Sequence, residues 1–520
     1  MKENNICEFG SFVDREKVSE VVSEGVCFES EGEFTLPEYM PEISKVLSCS
    51  ARIVSSGKFV GSDNVEFSGN IVYTLYYVGE GGQTCASALY GEYEYPYTSS
   101  VLSNVGTEIL DICDRANIES VSARPSGPRK VVMRSKIKAC PRMTYRGKES
   151  ELVFEGEEYE KLTEIRTGSR TVSFDSGEFE LEHRFRLDAS SDAEALACEG
   201  TLLVSDVKVN DGGVFCRGEL WATVVYRDVE AGRYVMSSVI KKLPFEKNIP
   251  LSEAVSAATA NGKTVSVEVT DDEESGEIVV RSLVSVTGRG ICEQKLSYLT
   301  DAYKCGAESM LEYKDVENVS SAFCKNANYS YRTEKKLTGE AIGSMGVCPL
   351  GASARIDNFD TNGKNAKICG EITLAATLVK RVEGGCEYYP QTLSVPFKVE
   401  CDMKCAADKY RTEIIPDVVF TGARCDGETL VCDAELYLSV NVESVSTVRV
   451  VKRMSGTNKD TGNGRDSIVL YYPDSDESLW SVCKKYAVPI DRVTNINHFS
   501  ESMGSFDAVA PHSPVMIKCI

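Results

Sequence analysis

Val65-Glu-Phe-Ser-Gly-Asn-Ile-Val-Tyr-Thr-Leu-Tyr-Tyr77 alternates apolar and other residues and is rich in β-branched and aromatic side chains. That composition suits a pleated, half-buried strand. The pattern returns twice, as Val214-Phe-Cys-Arg-Gly-Glu-Leu-Trp-Ala-Thr-Val-Val-Tyr226 and as Lys367-Ile-Cys-Gly-Glu-Ile-Thr-Leu-Ala-Ala-Thr-Leu378. Gly69, Gly218 and Gly370 stand 149 and then 152 residues apart.

Two further landmarks keep step with these glycines. Tyr95-Pro96-Tyr97, Leu243-Pro244-Phe245 and Val395-Pro396-Phe397 place a proline 27, 26 and 26 residues later. Second strand patterns centre on Ser135, Ser282 and Ala434, which lie 66, 64 and 64 residues past the glycines. Three landmarks in register define an internal repeat.

Each copy reads as antiparallel β-structure with one face inward. A strand-internal glycine predicts a bulge or a close backbone approach. Proline cannot donate to a ladder, so its place is a strand start or an edge strand. Asp211-Gly-Gly213 and Asp426-Gly427 are turn chemistry between strands. About 150 residues suits a sandwich or barrel and is too long for a solenoid repeat. The expected architecture is mainly β: three antiparallel sandwich- or barrel-like repeats over 1–155, 156–312 and 313–453, arranged as separate beads. The polar stretch Ser455-Gly-Thr-Asn-Lys-Asp-Thr-Gly-Asn-Gly464 predicts a flexible linker over 454–466.

The tail, 467–520, has a different rhythm. Ile468, Leu470 and Tyr472 alternate like the inward face of a strand. Ser478 suits an N-cap, and Leu479, Val482, Cys483 and Tyr486 recur at helical spacing. Pro489 opens a second short helix with Ile490, Val493 and Ile496 on its apolar face, and Val515 to Ile517 close as a strand. The predicted order is βααβ.

That order resembles the LysM module, on Ser478-Leu-Trp-Ser481, Lys484-Lys-Tyr486, Val488, Asp491 and Asn497. In the first copy, Leu36-Pro-Glu-Tyr-Met-Pro-Glu-Ile43, followed by the Gly69 strand, resembles the SPOCS domain of sporulating Firmicutes. SPOCS copies followed by a LysM module are similar to spore-coat morphogenesis proteins. The resemblance implies an assembly protein of the mother-cell cytosol, at the forespore surface, whose LysM module contacts the ATPase of the coat's basement layer. LysM modules in general bind N-acetylglucosamine glycans, so peptidoglycan is the alternative ligand. The family's Gly-Asp-Thr reads Asp476-Glu477-Ser478 here, and its Pro-Gly-Gln has no match in Ala510-Pro-His-Ser-Pro514. Both loops flank the glycan groove of family members, so the departures favour a protein partner. The residues this places at the docking surface are Asp476, Glu477, Ser478, Trp480, Asn497 and His498.

Composition narrows the function classes. The net charge of −22 opposes binding to nucleic acid and to anionic membranes. No apolar run is long enough for a membrane span, and the first ten residues hold no signal-peptide core, which predicts an unprocessed intracellular chain. The 20 cysteines are scattered without Cys-x-x-Cys pairs, so reduced, mostly buried thiols are expected rather than a zinc site or disulfides. Three histidines, His183, His498 and His512, form no metal motif. There is no Gly-x-Ser-x-Gly elbow and no phosphate loop, so no catalytic residues, metal or cofactor are expected.

Overall fold

The computed structural model describes the chain apart from residues 1–6, 24, 62, 100–101, 103–106, 115, 191–192, 231–232, 273–274, 345, 363, 384, 404–408, 459–466, 475–476, 500–508, 510–513 and 520. It is mainly β. The first unit runs β1 (Cys7–Phe9), β2 (Ser11–Val22), β3 (Val26–Thr35), β4 (Ile43–Val60), β5 (Asn64–Gly79), β6 (Thr84–Thr98), β7 (Glu108–Cys113), β8 (Ala116–Gly127), β9 (Lys130–Ala139) and β10 (Arg142–Val153). The second runs β11 (Tyr159–Phe185), β12 (Glu194–Asn210), β13 (Gly213–Glu230), β14 (Arg233–Pro250), β15 (Ala257–Asp272) and β16 (Glu277–Lys304). The third runs β17 (Ala307–Lys336), β18 (Gly346–Thr361), β19 (Asn365–Val382), β20 (Gly385–Asp402), β21 (Lys409–Asp426) and β22 (Thr429–Asn458).

In each unit a three-stranded antiparallel meander faces a second sheet. The meanders are β4-β5-β6, β12-β13-β14 and β18-β19-β20. The facing sheets are β11-β16-β15 in the second unit and β17-β22-β21 in the third, where β1 also joins β22. In the first unit the facing layer is broken into β3-β9-β8 and β2-β10-β7. The break falls at Pro141, which has no N–H for the ladder and instead accepts from the Ser23 N–H at 3.0 Å. Between each pair of layers lies a core. Phe67, Tyr73 and Leu75 meet Met133 and Ile137, Leu220 and Val224 meet Val280 and Val284, and Ile372 and Leu374 meet Leu436 and Leu438.

The glycine expectation holds. Gly218 pairs with Val204 beside a bulge, and Gly370 pairs with Ile356 beside another. A Cβ on Gly218 would lie 1.9 Å from the Leu203 carbonyl oxygen, and one on Gly370 2.1 Å from that of Arg355. Backbone cannot yield as a side-chain end can. Gly370→Ala is therefore expected to cost about 1–3 kcal/mol, read as a lower urea midpoint with an unchanged slope. Pro96, Pro244 and Pro396 lie opposite Glu66, Glu219 and Glu371 on β6, β14 and β20, each an outer strand of its meander. There the missing N–H breaks no ladder bond.

The units are not separate beads. Seven residues past each central small residue stand Arg142, Arg289 and Asn441, and these meet at one junction. The Arg142 guanidinium pairs with Glu20 at 2.5 Å and with Glu413 of the third unit at 3.5 Å. Arg289, 1% exposed, lies 2.8 Å from Glu413 and 3.7 Å from Glu20. The Thr259 hydroxyl donates to Asn441 at 2.7 Å, and the Thr171 hydroxyl to Glu443 at 3.2 Å. For Arg289 the contact is one of charge, since its Nε and Nη2 lack an aligned acceptor. A second shared cluster joins Tyr76, Val225, Met236, Leu350 and Tyr388 from the three meanders. This explains why β5 from Val72 to Tyr77 is buried on both faces, with only Thr74 half-buried, rather than alternating. Local patterns could not show the junction, because its partners lie hundreds of residues apart.

Beside that cluster, the Tyr76 hydroxyl donates to Glu199 of the second unit at 3.1 Å, and the Ser50 hydroxyl donates to it as well. Burial pushes the Glu199 carboxyl up to about 7, against the pull of those bonds and of Arg52. The native state thus holds a proton that the unfolded chain releases near pH 4.5. Stability from this group is full below that pH and is lost as pH rises through 7. Glu199→Gln is expected to flatten the fall by about 1–2 kcal/mol, measured by urea unfolding at pH 5 and pH 8.

Candidate docking module

The tail folds as β23 (Ser467–Tyr471), α1 (Leu479–Tyr486), α2 (Ile490–Asn497) and β24 (Val515–Cys519), with β23 and β24 antiparallel. The Ser478 hydroxyl caps α1 by accepting the Ser481 N–H at 3.2 Å. Lys484 and Lys485 occupy its last turn, where cations meet the negative end of the helix. Ala487 and His498 close the two helices in the left-handed conformation, at φ 54° and 55°. Leu479, Val482, Cys483, Val488 and Val493 pack with Val515 and Ile517 into one core.

That core continues into the second unit. Tyr303, near the end of β16, is part of it, with Leu162 and Cys305 packed alongside. Trp480 is 5% exposed. Its indole N–H donates to Asp301 at 2.8 Å, and its ring meets Tyr303 edge-on with centroids 5.1 Å apart. Lys484 pairs with the other Asp301 oxygen at 2.5 Å. The Tyr303 hydroxyl donates to the Val488 carbonyl at 2.8 Å, the Gly306 N–H to Ala487 at 2.7 Å, and the Ile490 N–H to Glu160 at 3.0 Å. The module is thus seated on the turn that joins β16 to β17. The stretch expected as a linker from 454 begins as paired strand, since β22 runs to Asn458 and Gly456 faces Cys7.

The six residues assigned to the docking surface occupy different surroundings. Asp476 lies outside the described residues. Glu477 accepts the Tyr471 hydroxyl at 2.6 Å, and its carbonyl accepts the Val509 N–H at 3.1 Å, which joins the two loops beside it. Asn497 brackets β24: its amide donates to the Val493 and Met516 carbonyls at 2.8 Å each, and its oxygen accepts the Met516 N–H at 2.7 Å. His498 is an exposed helix cap, and Ser478 is engaged as one. Trp480 faces the body rather than solvent. Its acceptor, Asp301, sits 179 residues away in sequence, and no local signal marks it.

A different set of residues is bare. Ile468, Leu470, Tyr472 and Met516 are 67%, 58%, 58% and 40% exposed. They share the outer face of the β23–β24 pair, where Leu470 and Met516 are direct partners. The expected parity of this strand is therefore reversed: Val469 and Tyr471 point to the core, and Ile468, Leu470 and Tyr472 point away. The stretch Ile468-Val-Leu-Tyr-Tyr472 is apolar at every position, so alternation alone leaves the inward face open.

Among the described residues, the thiols are seven buried, eight half-buried and two, Cys7 and Cys27, exposed, fewer buried than expected. Burial pushes the Cys216 and Cys348 thiols up to about 12, out of the range of reactive thiolates. The described residues contain no group of three or more His, Cys, Asp or Glu side chains placed to hold a metal. No described helix is long and apolar enough to cross a membrane.

Residues 193–273 match the family model described as SipL, SPOCS domain. The matched segment takes in the second unit's meander and β15. The match supports a SipL-like spore-coat protein and a sporulation context. No curated protein and no solved structure matches the chain.

Proposed function

We propose that this chain, with its SPOCS domain at 193–273, is a non-enzymatic assembly protein of the bacterial spore coat. In this reading all three units are SPOCS repeats, and the tail is a LysM-like module that docks on the coat's basement-layer ATPase in the mother-cell cytosol. Support for the repeat comes from the meander and facing sheet that recur in each unit around the same landmarks. The observation that carries the docking reading is the bare apolar face of Ile468, Leu470, Tyr472 and Met516, presented by a module whose position is fixed at its opposite side. Contiguous exposed apolar surface of this kind marks interaction sites. Glu477 and Ser478, just before α1, and Asn497 and His498, at the end of α2, are proposed as its polar rim.

Glycan binding is the second reading. The buried Trp480 indole cannot stack on a sugar, and Ser478 and Asn497 already bond within the module. Affinity capture from a sporulating culture separates the two, using the tagged full chain and one lacking 467–520. The expected result is an ATPase of the coat basement layer retained by the full chain alone. Retention of that ATPase by the shortened chain would overturn the docking reading. Tail-dependent sedimentation with purified peptidoglycan, without tail-dependent protein capture, would favour the glycan.

A further inference from the structure

The sheets of the three units extend beyond their cores as arms, long strand pairs of which the third is edged by β1. These are β2–β10, β11–β16 and β17–β22. The arms converge where Phe9, Phe154, Ala302, Ala307 and Met454 form a small core of their own. Beside this meeting point they enclose a cleft of about 890 Å³ lined from all three units. Its floor is apolar, with Leu152, Leu296, Leu299, Val316 and Val450. Its charged lining is seven lysines and arginines against three glutamates. The chain as a whole is the reverse, with 57 basic against 79 acidic residues.

Internal pairing does not remove this surplus. Glu149 takes Lys17 at 2.9 Å and Lys314 at 2.8 Å, and Glu151 takes Arg15 at 3.0 Å. Lys452 takes Glu312 at 2.6 Å and Glu16 faces Arg146 at 3.7 Å, both partners outside the lining. Lys148, Lys161 and Arg453 therefore remain in excess around the apolar floor, the Lys161 ammonium with one bond to the Phe154 carbonyl at 2.7 Å. The cleft is bordered by backbone of a particular kind. Among the described pairings β2 joins only β10, β11 joins only β16 and β17 joins only β22, so each arm brings one outer strand. An outer strand has unpaired N–H and C=O groups that accept an added extended chain.

We propose that this cleft is a binding site for an extended acidic peptide segment of a partner protein, one that carries apolar side chains among its carboxylates. The carboxylates meet the surplus of Lys148, Lys161 and Arg453, and the apolar side chains cover the leucine and valine floor. Short range makes this compatible with the −22 total. Charges farther than about 8–10 Å are screened at physiological salt, so a short segment feels the local basic lining, while a long polyanion feels the repelling whole. The site lies in the body and is separate from the module's bare face.

The test uses the full chain and a fluorescein-labelled decapeptide alternating Glu with Phe and Leu, followed by anisotropy. A control peptide carries Lys in place of Glu. Lys148→Glu with Arg453→Glu tests the lining at two exposed positions, with melting curves to verify the fold. The expected result is saturable binding of the acidic peptide alone, weakened by salt and by about tenfold or more in the double variant. Ile468→Asp with Leu470→Asp is expected to leave the affinity unchanged. No binding, equal binding of the lysine peptide, or an unchanged affinity in the lining variant would overturn the proposal. Loss of binding in the Ile468/Leu470 variant would also overturn it, because the peptide would then be on the module. The docking reading does not depend on any of these outcomes.

Discussion

Arg289→Ala is expected to lower stability by about 3–5 kcal/mol, with loss of the joint melting of the three units. The reasoning rests on what would be left behind. Arg289 is buried beside Glu413 and Glu20, which come from the third and first units. Arg142 meets the same two carboxylates, so five charged groups, with Glu443, share little contact with water. Burial already pushes the Glu443 carboxyl upward, and Arg142 and Arg411 only partly offset this. Removing one guanidinium strands carboxylates in a place that water reaches poorly. Replacing a matched pair together, as Arg289→Met with Glu413→Leu, should cost far less, because such exchanges are often neutral. Urea unfolding of the single and double variants checks both statements. A single-variant loss under about 1 kcal/mol would mean that the junction is open to solvent.

Asp301→Ala should act at the other end of the molecule. Asp301 receives the Trp480 indole N–H, the Lys484 ammonium, the Tyr313 hydroxyl and the Ala302 N–H. Its loss leaves the indole N–H buried without an acceptor and Lys484 without its counter-charge. The expected cost is about 2–4 kcal/mol, confined to the seating of the module. The local readout is the Gly306 amide, which donates to Ala487 across the contact. Its hydrogen exchange should accelerate, while amides in the third unit's core stay protected. Unchanged Gly306 exchange would show that the aromatic packing of Tyr303 on Trp480 holds the module alone.

Much of the body was legible in the sequence because its signals are local. Strand patterns, the glycines beside bulges and the prolines on outer strands each follow from one residue's steric limits. The Ser478 cap and the helical spacing after it were equally plain. What escaped has a common cause. Trp480, at helical spacing, reads first as core packing and also as a docking-surface candidate, and only Asp301, far along the chain, decides where it points. Ile468-Val-Leu-Tyr-Tyr472 is apolar throughout, so its inward face was settled by pairing with β24. The ionic junction consists of residues that look like ordinary surface charges on their own strands. Distant partners leave no periodicity, and a single sequence carries no other record of them.

The pairing of β1 with β22 bears on how the protein is made. Cys7 faces Gly456, so β1, once made, finds its neighbour only after some 449 further residues. At about 5–20 residues per second, that interval is roughly 20–90 s. Glu20 waits nearly as long for Arg289 to be joined by Glu413. The third unit, synthesised last of the three, therefore closes the ring of contacts, and a chain stalled before it would expose the charged and apolar faces of the first two. Ribosome pausing ahead of residue 409 should accordingly be more damaging than pausing after residue 458, by which point the strands of all three units have been made.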